Sequence, residues 1–336
     1  MKTFFFISLI VFPIVGFSQI INSNETTIAE FYDGQVKSVE LNGAKVTGQF
    51  RVWSIPNKLA NGNGRSASKN NALFLNLGLT NTGSTLLNLN KFDLKEKNGY
   101  IVGVSYQHSF SRIYLVDNEE NPYPLRSFTI GINYQNDKFK NYDPTVNNIK
   151  TSTPSRVILK TGYSRYFFNY RQDARFKYAI VPTLFSTVNL KDYNRTTLQN
   201  YILSDNYSSM GNIIFTKNSS FDGKYGEIDN GLKSAQLCFS LPIITEKLTK
   251  YLPVISPVPY ISYEVFEKDK PRLNGGIAIG VLASSIVNNK IEKDEEGYEY
   301  RTFNVPSYIT IGVDWNYQNG QGSKPNYFIA GSIKFK

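Results

Sequence analysis

Apolar and polar residues alternate along most of this chain with a period of two. From Ser307 to Tyr317, the residues Ile309, Ile311, Val313, Trp315 and Tyr317 interleave with Tyr308, Thr310, Gly312, Asp314 and Asn316. Side chains on a strand point alternately to opposite faces, so this stretch predicts a strand with one greasy face and one small or polar face. Residues 72–80 repeat the pattern: Leu73, Leu75, Leu77 and Leu79 fall on one face, Asn76, Gly78 and Thr80 on the other. A helix would mix those sets. Tyr100, Val102, Val104 and Tyr106 oppose Gly103, Ser105, Gln107, Ser109 and Ser111, and Phe128, Ile130, Ile132 and Tyr134 oppose Ser127, Thr129, Gly131, Asn133 and Gln135. Each run has the ~9 to 11 residues that cross a bilayer as a tilted strand. A slip of one residue would turn every polar group toward hydrocarbon, so the pattern also specifies register.

The same reading places strands around 46–52, 155–170, 176–184, 212–217, 234–241, 253–265, 276–281 and 327–335. Arg165 falls on the apolar side of its strand, where its stem can lie along the surface and its head reach the interface. Pro182 predicts a bulge or local distortion, because proline has no N–H for the ladder. The weakest run is Thr85 to Leu94. Counting it gives thirteen strands; bacterial single-chain barrels have even numbers, so the expectation is about twelve, with that run omitted. The predicted fold class is all-β, a transmembrane antiparallel β-barrel over residues 46–336. Residues 19–45, broken by Asn22, Asn24, Asp33, Gly34, Asn42 and Gly43, are expected to lie in the periplasm or to insert into the lumen. One conflict accompanies this layout: with the C-terminus periplasmic, the long connection 288–303 falls on the periplasmic side, where turns should be short.

The first residues change the picture of where the chain resides. Lys2, an apolar run from Phe4 to Val15, and the small residues Gly16 and Ser18 before Gln19 predict a secretory signal peptide over 1–18. Its apolar core is shorter than a spanning helix requires, and no later window reaches the ~18 apolar residues that such a helix needs. The formal net charge is +10, with Lys and Arg scattered among polar connections instead of gathered in a stripe, which argues against nucleic acid as a partner. Anionic surfaces such as lipopolysaccharide suit that charge better. The one cysteine, Cys238, excludes an intramolecular disulfide and a cysteine metal cluster.

A soluble sandwich also has one apolar face per strand, so alternation alone does not separate the two. The polar faces here are rich in Gly, Ser, Thr and Asn, aromatics gather near strand ends, and strand signals run to the end of the chain with no helical segment between them. The last strand, ending in Phe335, resembles the aromatic C-terminal strand of bacterial outer-membrane β-barrel proteins; Lys336 follows it where that family's pattern has an aromatic. The resemblance implies residence in the outer membrane, contact with its lipids, and recognition by the barrel assembly machinery. It implies no particular solute or protein partner.

Two function classes fit a barrel of this size. The expected one is a porin-like channel or transporter for small solutes; the alternative is a closed barrel that serves as a structural or partner-binding platform. For the channel, the candidate lumen charges are Arg51, Lys160, Lys177 and Lys334 against Glu264 and Asp314, an excess of positive charge that predicts weak anion preference. No catalytic, cofactor or metal site is expected. His108 is the only histidine, and its neighbour Ser109 points to the opposite face of a strand, so the pair cannot act together. The acidic group Glu292, Asp294, Glu295, Glu296 and Glu299 lacks the spacing of a calcium loop and reads as a solvated tip. Gly62 and Gly64 have no third glycine and no following helix to complete a phosphate loop.

Overall fold

Every strand of the main sheet has two hydrogen-bonded neighbours. The computed structural model describes residues 18–21, 27–31, 37–42, 45–58, 68–81, 98–110, 112–116, 119–120, 125–143, 148–169, 178–193, 199–207, 213–216, 223–245, 254–283, 287–293, 297, 299–303, 308–318 and 320–335. The wall consists of β1 (Lys37–Asn42), β2 (Lys45–Lys58), β3 (Ser68–Asn81), β4 (Asn98–Phe110), β5 (Leu125–Asn136) and β6 (Ser155–Asn169). It continues with β7 (Tyr178–Ile180 and Thr183–Tyr193), β8 (Asn230–Ser240 and Ile243–Thr245), β9 (Val254–Phe266), β10 (Arg272–Leu282), β11 (Tyr308–Gln318) and β12 (Asn326–Phe335). Each pairs antiparallel with the next in sequence, and β12 returns to β1, with Phe335 opposite Lys37. The result is a closed twelve-stranded up-and-down barrel with both ends of the wall at one rim.

The count of twelve agrees with the expectation, but its membership does not. Residues 37–42 belong to the wall, which therefore starts at Lys37 instead of residue 46. The segment Ile213–Thr216 does not enter the wall and joins a small five-stranded sheet at the rim opposite the termini. The run Thr85 to Leu94 lies outside the described residues. At the terminal rim, strands at 287–293, 299–303, 112–116 and 119–120 form a second small sheet. The long connection after β10 is thus on the same side as both termini, and its length is used to build structure there.

The faces are inside-out relative to a soluble barrel. Ile309 and Ile311 are 62% and 60% exposed, whereas Thr310 between them is fully buried. Leu73, Leu77, Val102, Val104, Ile130, Ile132, Leu237, Ile261, Ile277, Ile279 and Ile329 are also exposed, while the alternate residues Asn76, Ser105, Gln107, Thr129, Ser262 and Asn274 are buried. So large a continuous apolar exterior would not persist in water, and it forms the band that hydrocarbon covers. Aromatics stand at its margins. Tyr100, Tyr134, Tyr263, Trp315, Tyr317 and Tyr327 are exposed toward one rim; Trp53, Phe128 and Phe167 are exposed toward the other. Arg165 points outward near the terminal rim, its guanidinium 4.8 Å from the centre of the Phe167 ring. The architecture is that of an outer-membrane β-barrel.

Pro182 does not produce a bulge. The register of β6 with β7, and of β7 with β8, is the same on both sides of Val181 and Pro182. Only a donor is lost, and the proline carbonyls still accept: Arg165 N–H bonds to Pro182 (3.1 Å), Val181 N–H to Pro242 (2.8 Å) and Leu241 N–H to Pro259 (3.0 Å). A true bulge falls at Arg51 to Trp53, where the register shifts, and others interrupt β7 near Asn189 and Asp192.

Ahead of the wall, strands Ser18–Ile21 and Thr27–Phe31 form an antiparallel hairpin. The first lies against β12 and β1, the second against β7 and β8. Those two pairs of strands stand on nearly opposite sides of the ring, so the hairpin crosses the interior.

Candidate functional site

Direct cross-strand partners share a face, so the pairings sort the interior into rows. One row runs from β2 to β11 as Arg51, Phe74, Ser105, Gly131, Lys160, Thr187, Gln236, Glu264, Arg272 and Gln318. It carries the charges Arg51, Lys160, Glu264 and Arg272. A second row, nearer the terminal rim, carries Ser109, Ser127, Ser164, Thr183, Ser240, Tyr260, Gly276, Asp314 and Asn326. Next to it come Val258, Ala278, Gly312 and Phe328; all but the glycine belong to a buried apolar cluster that also includes Tyr166, Val181, Phe185, Cys238, Ile244, Val254, Leu282 and Tyr308. Moving toward the termini, the interior passes from charged to hydroxylic to apolar.

Charges in the interior come with partners, as burial in low dielectric demands. Arg272 Nη2 donates to Glu264 Oε2 at 2.5 Å, with both side chains largely buried, and its guanidinium lies 5.5 Å from the Phe266 ring centre. Asp314 is fully buried and accepts from the Tyr260 hydroxyl (3.1 Å) and the Asn326 amide (3.2 Å). Glycine at 276 makes that reach possible: a Cβ there would stand 2.7 Å from the Tyr260 hydroxyl. Toward the opposite rim, Arg156 pairs with Asp192 at 3.1 Å and donates to Asn189 (3.4 Å), whose amide donates to Ser234 (2.6 Å). Asp137, just past β5, accepts from Thr80 (3.1 Å), Gln135 (2.7 Å) and Tyr193 (3.0 Å). On the rim itself, Lys268 donates to Asp229 at 2.6 Å, and that bond and charge hold the ammonium above the ordinary lysine range.

Of the charges expected in the lumen, Arg51, Lys160 and Glu264 fall on the one charged row, and Asp314 lies on the hydroxylic row. Lys160 is half-buried between Gly131 and Thr187. Arg51 is exposed and stands opposite Phe74 at the edge of the bulge. Lys334 takes its place in β12 opposite Ser38, and Lys177 lies outside the described residues. The partners Arg156, Asp192, Asp137 and Arg272 were not anticipated. Parity along β6 puts Arg156 on the inward face with Lys160, which was a usable signal; Asp192 follows a bulge and Asp137 follows a strand end, where alternation carries no information.

His108 points outward with Tyr106, and both ring nitrogen Nδ1 and the Tyr106 hydroxyl meet Asn71 Oδ1, at 2.7 and 2.8 Å. Ser109 is fully buried on the other face. Of the acidic tip, Glu299 pairs with Lys293 at 3.3 Å across a hairpin whose turn holds Gly297 at φ 86°; residues 294–296 lie outside the described residues. Among the described residues, no group of three or more His, Cys, Asp or Glu is placed to hold a metal ion.

No family model matches the sequence, and no curated protein matches it. Among solved structures, the β-domain of the Bordetella autotransporter BrkA aligns over 90% of this chain and 97% of its own length, at 6% identity and a TM-score of 0.39.

Proposed function

We propose that this chain is an exported protein of the bacterial outer membrane whose barrel is closed, and that it works as a platform presenting the structures at its two rims. The observation that carries this reading is the state of the interior. Most inward side chains are buried, the pairs Arg156–Asp192 and Arg272–Glu264 match charge across strands, an apolar cluster lines the terminal half, and the hairpin of strands 18–21 and 27–31 reaches from one side of the ring to the other. A wet pore needs a hydrated lining, and apolar side chains facing a water column would be costly. A porin-like channel with weak anion preference is therefore the less favoured reading. Lipid headgroups of the outer membrane and lipopolysaccharide are the partners that suit the +10 charge, and the barrel assembly machinery is the partner in biogenesis. The proposal includes no enzymatic step and no cofactor.

Reconstitution in planar bilayers tests it. Folded protein, identified by a heat-dependent shift in gel mobility, should give no stepwise conductance across applied voltages. Regular single-channel steps from the intact protein would overturn the platform reading and restore the channel.

A further inference from the structure

At the rim opposite the termini, a polar cleft of about 530 Å³ opens between the hairpin that follows β5, the end of β7 and the start of β8. Its floor is built. Phe139 and Tyr193 pack with ring centres 6.1 Å apart, Ile228 packs against them, and the Tyr193 hydroxyl is tied to Asp137 in the wall. The hairpin strands 139–143 and 148–152 pair with Asn141 opposite Lys150, and strand 223–225 runs parallel beside Asn141. These contacts fix the walls of the cleft, as a preformed site requires.

The lining specifies a chemistry. Asn141 is 1% exposed; its amide nitrogen donates to the Gly226 carbonyl at 3.0 Å, while its Oδ1 is buried with no partner. A buried acceptor in that state calls for a donor brought by whatever fills the cleft. Among the described lining residues, Lys150 and Lys191 supply two positive charges against the one carboxylate of Glu227, and Ser152 and Asn230 add neutral hydrogen-bonding groups. Apolar ligands find little surface there. We propose that this cleft binds a small polyhydroxylated acid of the sugar-acid class, its carboxylate held by Lys150 and Lys191 and a hydroxyl donating to Asn141 Oδ1. This goes beyond the platform reading and does not depend on whether the barrel conducts.

The test uses full-length protein folded in detergent, with heat-shifted mobility as the check on folding, and titration calorimetry against glucuronate, glucose, cyclohexanecarboxylate, glycine and inorganic phosphate. Glucuronate should bind saturably and at least tenfold more tightly than each of the others. Glucose lacks the charge, cyclohexanecarboxylate the hydroxyls, and phosphate and glycine the ring. The Lys150→Gln, Lys191→Gln double variant changes two exposed side chains, so it should fold normally and lose at least tenfold in glucuronate affinity. Absence of saturable glucuronate binding to folded protein, unchanged affinity in the double variant, or phosphate binding as tightly as glucuronate would each overturn the proposal. Glycine binding as tightly would overturn it in favour of a zwitterion site.

Discussion

Ile311 and Thr310 are adjacent, yet one faces lipid and the other the interior, so they give the sharpest comparison at the scale of a residue. Ile311→Arg places a cation in the apolar band at a cost of about 2 to 4 kcal/mol near the midplane, whereas Thr310→Ser keeps a small hydroxyl inside. The heat-shifted fraction after refolding should fall strongly for the first and stay near the parent for the second. Equal folded fractions would disprove the assignment of faces. Gly312 makes a second comparison possible, because a Cβ there would come within 2.1 Å of the Phe328 ring directly across the strand pair. Gly312→Val should lower the folded fraction, and adding Phe328→Ala should recover part of it; no recovery would mean that the glycine serves the backbone instead of that ring. Facing was legible at this scale because parity alone sets it. Pairing was not: Glu264 reads as an inward anion from its own strand, but its partner Arg272 lies across a turn, at a position only the β9 to β10 register reveals.

Among the elements, long two-faced strands such as β3 and β11 were legible because alternation over nine or more residues admits one reading. β1 was not. Its six residues, Lys37–Asn42, have too few apolar positions to stand out, and they become a strand because β12 and β2 each offer an unpaired edge. The segment Ile213–Thr216 shows the converse, since a short apolar run reads as a wall strand until a rim sheet claims it. Pro182 reads from sequence as a lost donor and as a bulge or local distortion: the strand is interrupted at Val181 and Pro182 without a bulge, and register survives because neighbouring strands still donate to the proline carbonyls. Closure makes the end of the chain decisive. Deleting residues 327–336 removes β12 and leaves β1 and β11 with open edges in hydrocarbon, where each unpaired backbone group costs several kcal/mol. The shortened protein should fail to reach the outer membrane, as measured by its yield in membrane fractions; normal yield would show that Phe335 does not belong to a closing strand.

For the whole molecule, the question is what keeps the barrel closed. The hairpin of strands 18–21 and 27–31 reaches from β12 and β1 to β7 and β8, and the segments Thr183–Tyr193 and Asn230–Ser240 that it approaches contribute Phe185 and Cys238 to the apolar cluster. Removing residues 19–35, with the signal segment left in place, should uncover that lining and let water enter. The deleted protein should then conduct in planar bilayers where the intact protein is silent. Once ions pass, the charged row decides which. Arg51, Lys160 and Arg272 stand on it against Glu264, a formal excess of positive charge along that row. Anions should be favoured modestly, and the preference should fade as salt shortens the Debye length from about 10 Å at 0.1 M to about 3 Å at 1 M. Lys160→Glu in the deleted background reverses one charge at the half-buried centre of that row and should remove the preference or invert it. Reversal potentials under a salt gradient read the outcome directly. Silence of the deleted barrel would show that the wall's own side chains fill the lumen without the hairpin, and conductance with a selectivity that Lys160→Glu leaves unchanged would show that ions take a path the charged row does not line.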